Sequence, residues 1–306
     1  MLFRSQAKLM ASNPSERTIC ARLMNDRFAL CLPREEFDEK RVADSVKELQ
    51  CEFTGNSFHL HMYMGVYEIR DRDEAVSIMV DKANIAADTI KNNYDCCVAY
   101  YDEHLLEISI EQRRLLGEFE PALQNDEFVM YLQPQVKRDG AAKGAEALVR
   151  WVHPSRGILT PYAFIDILEN AGLIYKLDLY IWEKAAQKLA EWKEKGYGSY
   201  HISVNISTKD FYIIDIYETF TGLINKYGIA ASNLHLEITE TTLMTDFEKN
   251  MNIIHKLQGV GFRVEIDDFG SGYSSLNMLK DISADVLKID MGFLRKSGNE
   301  IGRAHV

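Results

Sequence analysis

Long hydrophobic runs are missing from this chain. Nowhere among its 306 residues does an apolar stretch reach the roughly 20 residues that cross a bilayer. No charged-then-apolar leader pattern opens it. Cysteine is scarce and odd in number: five residues, Cys20, Cys31, Cys51, Cys96 and Cys97, with no CxxC pair. They read as reduced thiols in a cytosolic protein, with the vicinal Cys96 and Cys97 as packing residues. Positive charge is in deficit, 35 Lys and Arg against 46 Asp and Glu, a formal net of −11. That argues against binding DNA or RNA through a generally basic surface. It leaves room for a small phosphorylated ligand, because local cations or bound metal can offset the field. What is present in quantity is apolar side chain, 46% of the residues, enough for a real core.

The two ends do not read as protein design. The opening MLFRS and the closing EIGRAHV are what short-read sequencing adapters encode in opposite directions. The expectation is that residues 1–5 and 300–306 are adapter scars and that the genuine protein runs from Gln6 to Asn299.

Between Thr18 and about Glu103 short strands alternate with helices. Phe28–Leu32 reads as a strand and Glu35–Leu49 as a helix. Phe58–Tyr67 alternates with period two, as a strand does. Asp73–Asn92 reads as an amphipathic helix and Val98–Tyr101 as a last strand. This is a small core, the back half of an α+β domain, with boundaries at residues 6–105. A charged amphipathic helix follows, Glu103–Glu120, with 106–120 as connector.

From residue 121 to 299 the rhythm changes. Strand-like runs stand at Phe128–Val136, Ala145–Val152, Tyr200–Ile206, Leu234–Thr239, Arg263–Asp268 and Val286–Asp290. Helical runs separate the later ones: Tyr162–Ala171, Leu177–Lys195, Asp215–Tyr227, Asp246–Gln258 and Ser274–Lys280. A repeat of roughly 30 residues per strand and helix is the unit of a TIM-type (β/α) barrel. The expected fold class is therefore α/β, an incomplete barrel lacking its last two strands, preceded by the partial α+β segment.

Strand parity turns that fold into a site. Alternate residues of a barrel strand face the helix layer and the lumen. Ile202, Val204 and Ile206 share one parity, as do Leu234, Leu236 and Ile238, then Val264 and Ile266, then Leu287 and Ile289. The opposite parity, facing the lumen, carries His201, Ser203 and Asn205, His235, Glu237 and Thr239, Arg263, Glu265 and Asp267, and Lys288. A polar lumen is costly unless its groups pair with one another or with a ligand. Asn205, Glu237, Asp267 and Lys288 lie nearest the C-terminal strand ends, where such barrels carry their chemistry. The deeper His201 and His235 read as hydrogen-bonded residues and not as ligands. The run Val264–Ser275 adds paired carboxylates, Asp267 and Asp268, and a turn with Gly270 and Gly272 that lets a phosphate approach the backbone.

These residues resemble the EAL-type cyclic di-GMP phosphodiesterases. The motifs that match in order are Gln133-Pro134, Glu146-Ala147-Leu148 with Val149-Arg150-Trp151, Ser203-Val204-Asn205, Glu237-Ile238-Thr239-Glu240, Asp267-Asp268-Phe269-Gly270 with Gly272, and Leu287-Lys288-Ile289-Asp290. The resemblance implies that Glu146, Asn205, Glu237, Asp267 and Asp268 ligate two ions, Mg2+ or Mn2+. It implies catalytic roles for Lys288, Glu146 and Asp267, with Lys288 acting on the attacking water. It implies that Gln133, Leu148 and Arg150 bind cyclic di-GMP, Arg150 through a phosphate. Glu240 would brace the loop after Asp268 with Gly270 and Gly272, a loop that also shapes a homodimer contact. Oxygen ligands of this kind select hard cations, and a two-ion site opens the cyclic dinucleotide to linear pGpG without a histidine or cysteine nucleophile.

Ala21–Leu30 looks like the signature hairpin of GGDEF diguanylate cyclases. The signature positions here read Met24, Asn25, Asp26, Arg27 and Phe28. Both glycines and the glutamate are gone, so this segment is expected to be a degenerate domain that positions or regulates the barrel and makes no cyclic di-GMP. In the EAL family the barrel carries a further glutamate after its seventh strand and a glutamine near its eighth. Neither is in this sequence, so turnover is expected of a parent protein, which could carry sensor or membrane domains upstream, and not of these residues alone. The competing reading is a non-catalytic cyclic di-GMP receptor that signals through a partner. A kinase reading of Asp268-Phe269-Gly270 fails for want of the upstream kinase motifs. The Gly259–Gly261 pair is too short for a dinucleotide fingerprint.

Overall fold

The computed structural model of the chain describes residues 16–23, 27–44, 62–91, 96–270 and 284–289. Several sequence readings lie outside them: the termini, Met24 to Asp26, Leu49, Cys51, residues 58–61, Asn92, Gly272, the helix Ser274–Lys280 and Asp290. The chain divides into two compact units, Met1–Arg113 and Arg114–Val306. No helix among the described residues is long and apolar enough to cross a membrane. Cys31, Cys96 and Cys97 are thiols outside any disulfide.

In the first unit β1 (Ile19–Arg22) and β2 (Phe28–Cys31) pair antiparallel, with Arg22 opposite Phe28. The Leu23 amide donates to Arg27 O at 2.9 Å and closes the hairpin. The helix expected over Glu35–Leu49 is broken. A 3-10 turn, Arg34–Glu36, ends at an extended Phe37. A new helical start follows, where Asp38 Oδ1 accepts from the Arg41 amide at 3.2 Å. A carboxylate in that position satisfies an orphan helix donor, and this is why the helix restarts there. Of the strand expected over Phe58–Tyr67 the described part is β3 (Met64–Val66). It runs parallel to β4 (Val98–Tyr100), and α1 (Val76–Asp88) supplies the crossover that parallel neighbours require.

The second unit opens within α2 (Glu103–Gln124), a helix that starts in the first, continues past the expected Glu120 and carries Pro121 in its last turn. Its strands are β5 (Phe128–Val136), β6 (Ala142–His153), β7 (Gly157–Leu159), β8 (His201–Ile206), β9 (Leu234–Thr239), β10 (Arg263–Phe269) and β11 (Val286–Ile289). They form a seven-stranded sheet in the order β11-β10-β9-β8-β6-β5, with β7 added to β6. From β6 through β11 the path is parallel, as β/α units dictate. The first pair departs from that rule: β5 and β6 are antiparallel. Only residues 137–141 join them, in a turn closed by Gly140 N to Lys137 O at 2.9 Å, and so short a link cannot make a crossover. Among the described residues the sheet is open.

The intervening helices are α3 (Ile165–Asn170), α4 (Ile174–Glu194), α5 (Asp210–Ile213), α6 (Ile216–Tyr227), α7 (Glu240–Thr245) and α8 (Phe247–Val260). Asp215 caps α6 by accepting from the Glu218 amide at 3.0 Å. The apolar strand parity is buried as alternation requires: Ile202, Val204, Leu234, Leu236, Ile238 and Val264 are all 0% exposed. They share one core with Trp182 and Ala185 of α4, Phe220 of α6 and Leu257 of α8. At the β5–β6 end Phe119, Phe128, Trp151 and Phe164 form an aromatic cluster, with Phe128 and Trp151 centroids 4.8 Å apart.

In the first unit the tightest contact is between β3 and α1. A Cβ added at Gly65 would stand 1.8 Å from Ala83 O and 2.6 Å from Ala87 N, both backbone atoms. Gly65→Ala must therefore push α1 away from the strand. The expected loss is about 1–3 kcal/mol in the first unit, read as a lowered denaturant midpoint for its amide signals with the second unit unchanged.

Candidate functional site

The register of the parallel strands assembles the site row by row. Glu146 of β6 lies opposite Ser203 of β8. One row nearer the C-terminal strand ends, Asn205 lies opposite Glu237, and Glu237 opposite Glu265. The next row pairs Thr239 with Asp267. Period-two alternation sends all of these to the face away from the helices. Three of the four strands thus contribute a carboxylate to one patch, and like charges opposite each other repel.

Lys288 answers that repulsion. Its ammonium lies 3.0 Å from Glu146 Oε2 and 3.7 Å from Glu265 Oε2, and it also pairs with Glu237 Oε2. Glu237 is 1% exposed. Its Oε2 is met by the Lys288 ammonium alone, and its Oε1 has no partner among the described residues. Burial pushes its carboxyl up to about 8, against the pull of Lys288 and with the help of the Glu146 and Asp267 charges. Burial pulls the Lys288 amine down, but Glu237 and Glu146 outweigh it and the amine is raised. A buried carboxylate with one oxygen unpartnered is what a hard cation completes, and the neighbouring Asn205, Glu146 and Asp267 bring oxygen donors only. The residues fit a divalent metal.

Asp267 and Asp268 stand next to each other in sequence, and strict alternation would send them to opposite faces. The β10–β11 ladder breaks there: Ile266 pairs with Leu287 and Phe269 with Ile289. Two residues, Asp267 and Asp268, thus stand against the single Lys288. Asp268 has φ 54°, in the left-handed region. Such a bulge re-aims side chains and removes the need for opposite faces. Beyond it the Gly270 amide donates to Glu240 Oε2 at 2.7 Å, from a Glu240 that is 3% exposed.

On β5 and β6, Gln133 lies opposite Glu146, and Tyr131 opposite Leu148. Glu146, Leu148 and Arg150 share one parity of β6. Arg150 Nη1 donates to Val149 O at 2.8 Å, and its guanidinium stands 5.6 Å from the Tyr131 ring centroid. Tyr131 had drawn no functional reading. Nor had Glu265, which alternation places inward and register places beside Glu237. Parity gives the face of each, while the β5–β6 register places Tyr131 and the β9–β10 register places Glu265.

Deeper in the sheet His201 and His235 stack, with centroids 3.8 Å apart and planes 2° apart. His201 Nε2 lies 2.7 Å from Gln135 Oε1, and His235 Nδ1 lies 2.6 Å from Glu265 Oε1. They are hydrogen-bonded residues, as their depth implied. Their ligating atoms and those of Glu265 lie within 4.8 Å of one another. Parallel rings, however, aim their nitrogen lone pairs side by side and do not converge on an ion. Arg263, expected inward, is exposed because it opens β10 at the far end, where it lines a cavity of ≈ 240 Å3 with Lys143, His201 and His235.

Behind Asn205 the support is buried and partly acidic. Trp182 Nε1 donates to Asn205 O at 2.9 Å. The loop after β8 folds back so that Asp210 Oδ2 accepts from both Ser207 N and Ser207 Oγ at 2.8 Å. Asp210 also hydrogen-bonds Asp178 of α4, which two carboxyls do by sharing one proton. Burial first, and Asp210 next, raise Asp178 well above the carboxylate range. The folded chain thus keeps a proton that the unfolded chain loses, so stability from this pair is present at acid pH and falls as pH rises above the ordinary carboxylate range. Asp178→Asn, which donates permanently, is expected to flatten that fall. Urea midpoints between pH 5 and pH 8 check it, and an unchanged slope would count against the shared proton.

Comparison with known proteins places this geometry. Residues 117–306 match the EAL domain family. The chain is 30% identical over 312 residues to the bifunctional diguanylate cyclase/cyclic di-GMP phosphodiesterase MucR of Pseudomonas aeruginosa, covering 98% of this chain and 44% of that protein. It is 33% identical over 174 residues to the cyclic di-GMP phosphodiesterase PdeR of Escherichia coli, covering 57% and 26%. The solved complex of the PaMucR phosphodiesterase with c-di-GMP superposes with a TM-score of 0.57 at 34% identity, over 61% of this chain and 76% of that one. The chain thus spans under half the length of these curated relatives. Phosphodiesterases built on this domain depend in general on metal. With its match covering most of the second unit and more than half of all residues, the chain belongs to the EAL domain family.

Proposed function

We propose that the protein carrying this chain hydrolyses cyclic di-GMP to linear pGpG at the C-terminal end of the second unit's sheet. The observation that carries this reading is Glu237, a buried carboxylate whose Oε1 has no partner among the described residues and whose Oε2 meets Lys288 alone, flanked in register by Asn205 and a second carboxylate. Glu146, Asn205, Glu237, Asp267 and Asp268 would hold two ions, Mg2+ or Mn2+. Bound there, the ions would supply an activated water and neutralise charge on the phosphorus oxygens.

This chain's own residues do the rest. Lys288 orients the water from among the carboxylates. Arg150 holds a phosphate of the substrate, and Gln133 and Leu148 share its face of β5–β6. Glu240 keeps the backbone at Gly270 fixed, which holds the loop after Asp268. That loop is also our proposed homodimer contact. The first unit is proposed as a degenerate GGDEF-like domain, residues 6–105, that positions or regulates residues 121–299 through the helix 106–120. Relatives named as phosphodiesterases and a solved relative in complex with c-di-GMP support the substrate class, which also favours a cytoplasmic placement.

The test is an assay of the purified full-length protein with cyclic di-GMP and Mn2+, following pGpG by chromatography. Turnover is expected, and Glu237→Gln should lower it by at least about a hundredfold, the upper end seen even for outer partners of a metal. Nucleotide binding with no pGpG in the wild type would favour a receptor that signals through a partner.

A further inference from the structure

We propose that Glu265 is the positioning residue for Lys288, and that His235 holds Glu265 in place for that purpose. The inference rests on the phosphodiesterase reading of the site. It concerns a side chain outside the implied metal set and a histidine outside the substrate face.

Three carboxylates surround the Lys288 ammonium, and they are not equivalent. Glu146 and Glu237 belong to the set that would hold cations, so ion binding competes with Lys288 for their oxygens. Glu265 does not belong to that set. Its Oε1 accepts from Ser203 Oγ at 3.2 Å and pairs with His235 Nδ1 at 2.6 Å. Its Oε2 is left to face Lys288 at 3.7 Å.

The support behind Glu265 is a chain of side-chain contacts. Gln135 Nε2 donates to the same Ser203 Oγ at 3.2 Å, while Gln135 Oε1 lies 2.7 Å from His201 Nε2. His201 stacks on His235. On its other side the His201 ring sits against Gly144, where an added Cβ would come within 2.5 Å of three ring atoms. Burial and the adjacent His235 push His201 down to about 4, so at neutral pH the stack does not carry two positive rings. His235 is 2% exposed and Glu265 2% exposed, so water does not loosen the pair. A lysine is a point charge on a flexible stem and takes its position from its partners. Glu265 is the partner fixed by the protein itself.

Two measurements test this, one of them independent of turnover. In the chain as it stands, acylation of Lys288 by an N-hydroxysuccinimide ester is followed by mass spectrometry, with and without Mg2+. Glu265→Gln keeps the acceptor for Ser203 and His235 but loses the charge. It should label Lys288 severalfold faster than wild type, with a larger ratio when Mg2+ is present. His235→Phe, which keeps a stacking ring but no donor, should behave like Glu265→Gln, and His235→Asn should recover part of the protection. Equal labelling in wild type and Glu265→Gln overturns the proposal. Labelling that responds to Glu265→Gln but not to Mg2+ upholds the anchor and counts against the metal reading instead. In the full-length protein, Glu265→Gln should lower kcat roughly tenfold with KM unchanged. It should cost nothing further in a Lys288→Ala background, because residues acting through one group are not additive. Additive losses would overturn it.

Discussion

Repulsion among carboxylates on neighbouring strands is the constraint around which the second unit is built. Unit charges about 5 Å apart at an effective dielectric near 20 interact by roughly 3 kcal/mol. Adjacent strands stand about that far apart. Glu146, Glu237 and Glu265 therefore cannot share one face unless positive charge stands among them. Lys288 supplies one such charge, from the edge strand of the described sheet. One ammonium against three carboxylates leaves a deficit, and Glu237 is pushed up to about 8, by burial first, with the Glu146 and Asp267 charges adding to it against Lys288. The apolar layer on the other face, Ile202 through Ile266, holds the register that creates this tension. Burial energy spread over many side chains is thus set against charge gathered in one patch.

Much of this arrangement was legible because strands alternate. Once Val204, Leu236 and Val264 are assigned to the core, Asn205, Glu237 and Glu265 can only lie opposite, and the structure places them in one row. Alternation says which face a residue takes but not which neighbour it meets. Glu265 therefore looked like one more inward polar group, and only the register showed it beside Glu237 and Lys288. The antiparallel start of the sheet was hidden by the regular repeat that follows it, although the short link at residues 137–141 already forbade a crossover. The shared proton of Asp178 and Asp210 joins α4 to the loop after β8. No local pattern reports a contact between residues that far apart.

The supports differ in kind from the site they hold. Trp182 fixes Asn205 through a backbone carbonyl. The histidine stack fixes Glu265 through a ring nitrogen, and Glu240 fixes Gly270 through an amide. Each acts on one atom of the row and leaves the outward-facing oxygens free. Rigidity is in this way placed behind the charged face, which stays available to ligands.

The bulge at Asp267 and Asp268 has a mechanical consequence. It sets two neighbours along the chain against the single Lys288, so the spacing of their backbones is fixed by a single peptide unit and not by packing between elements. Strand sliding or breathing can carry the pair toward or away from Glu237, but it cannot pull the two apart. The site behaves in this respect like a jaw with one rigid tip. Its span depends on how β10 sits against β9, and the backbone spacing of the two aspartates does not.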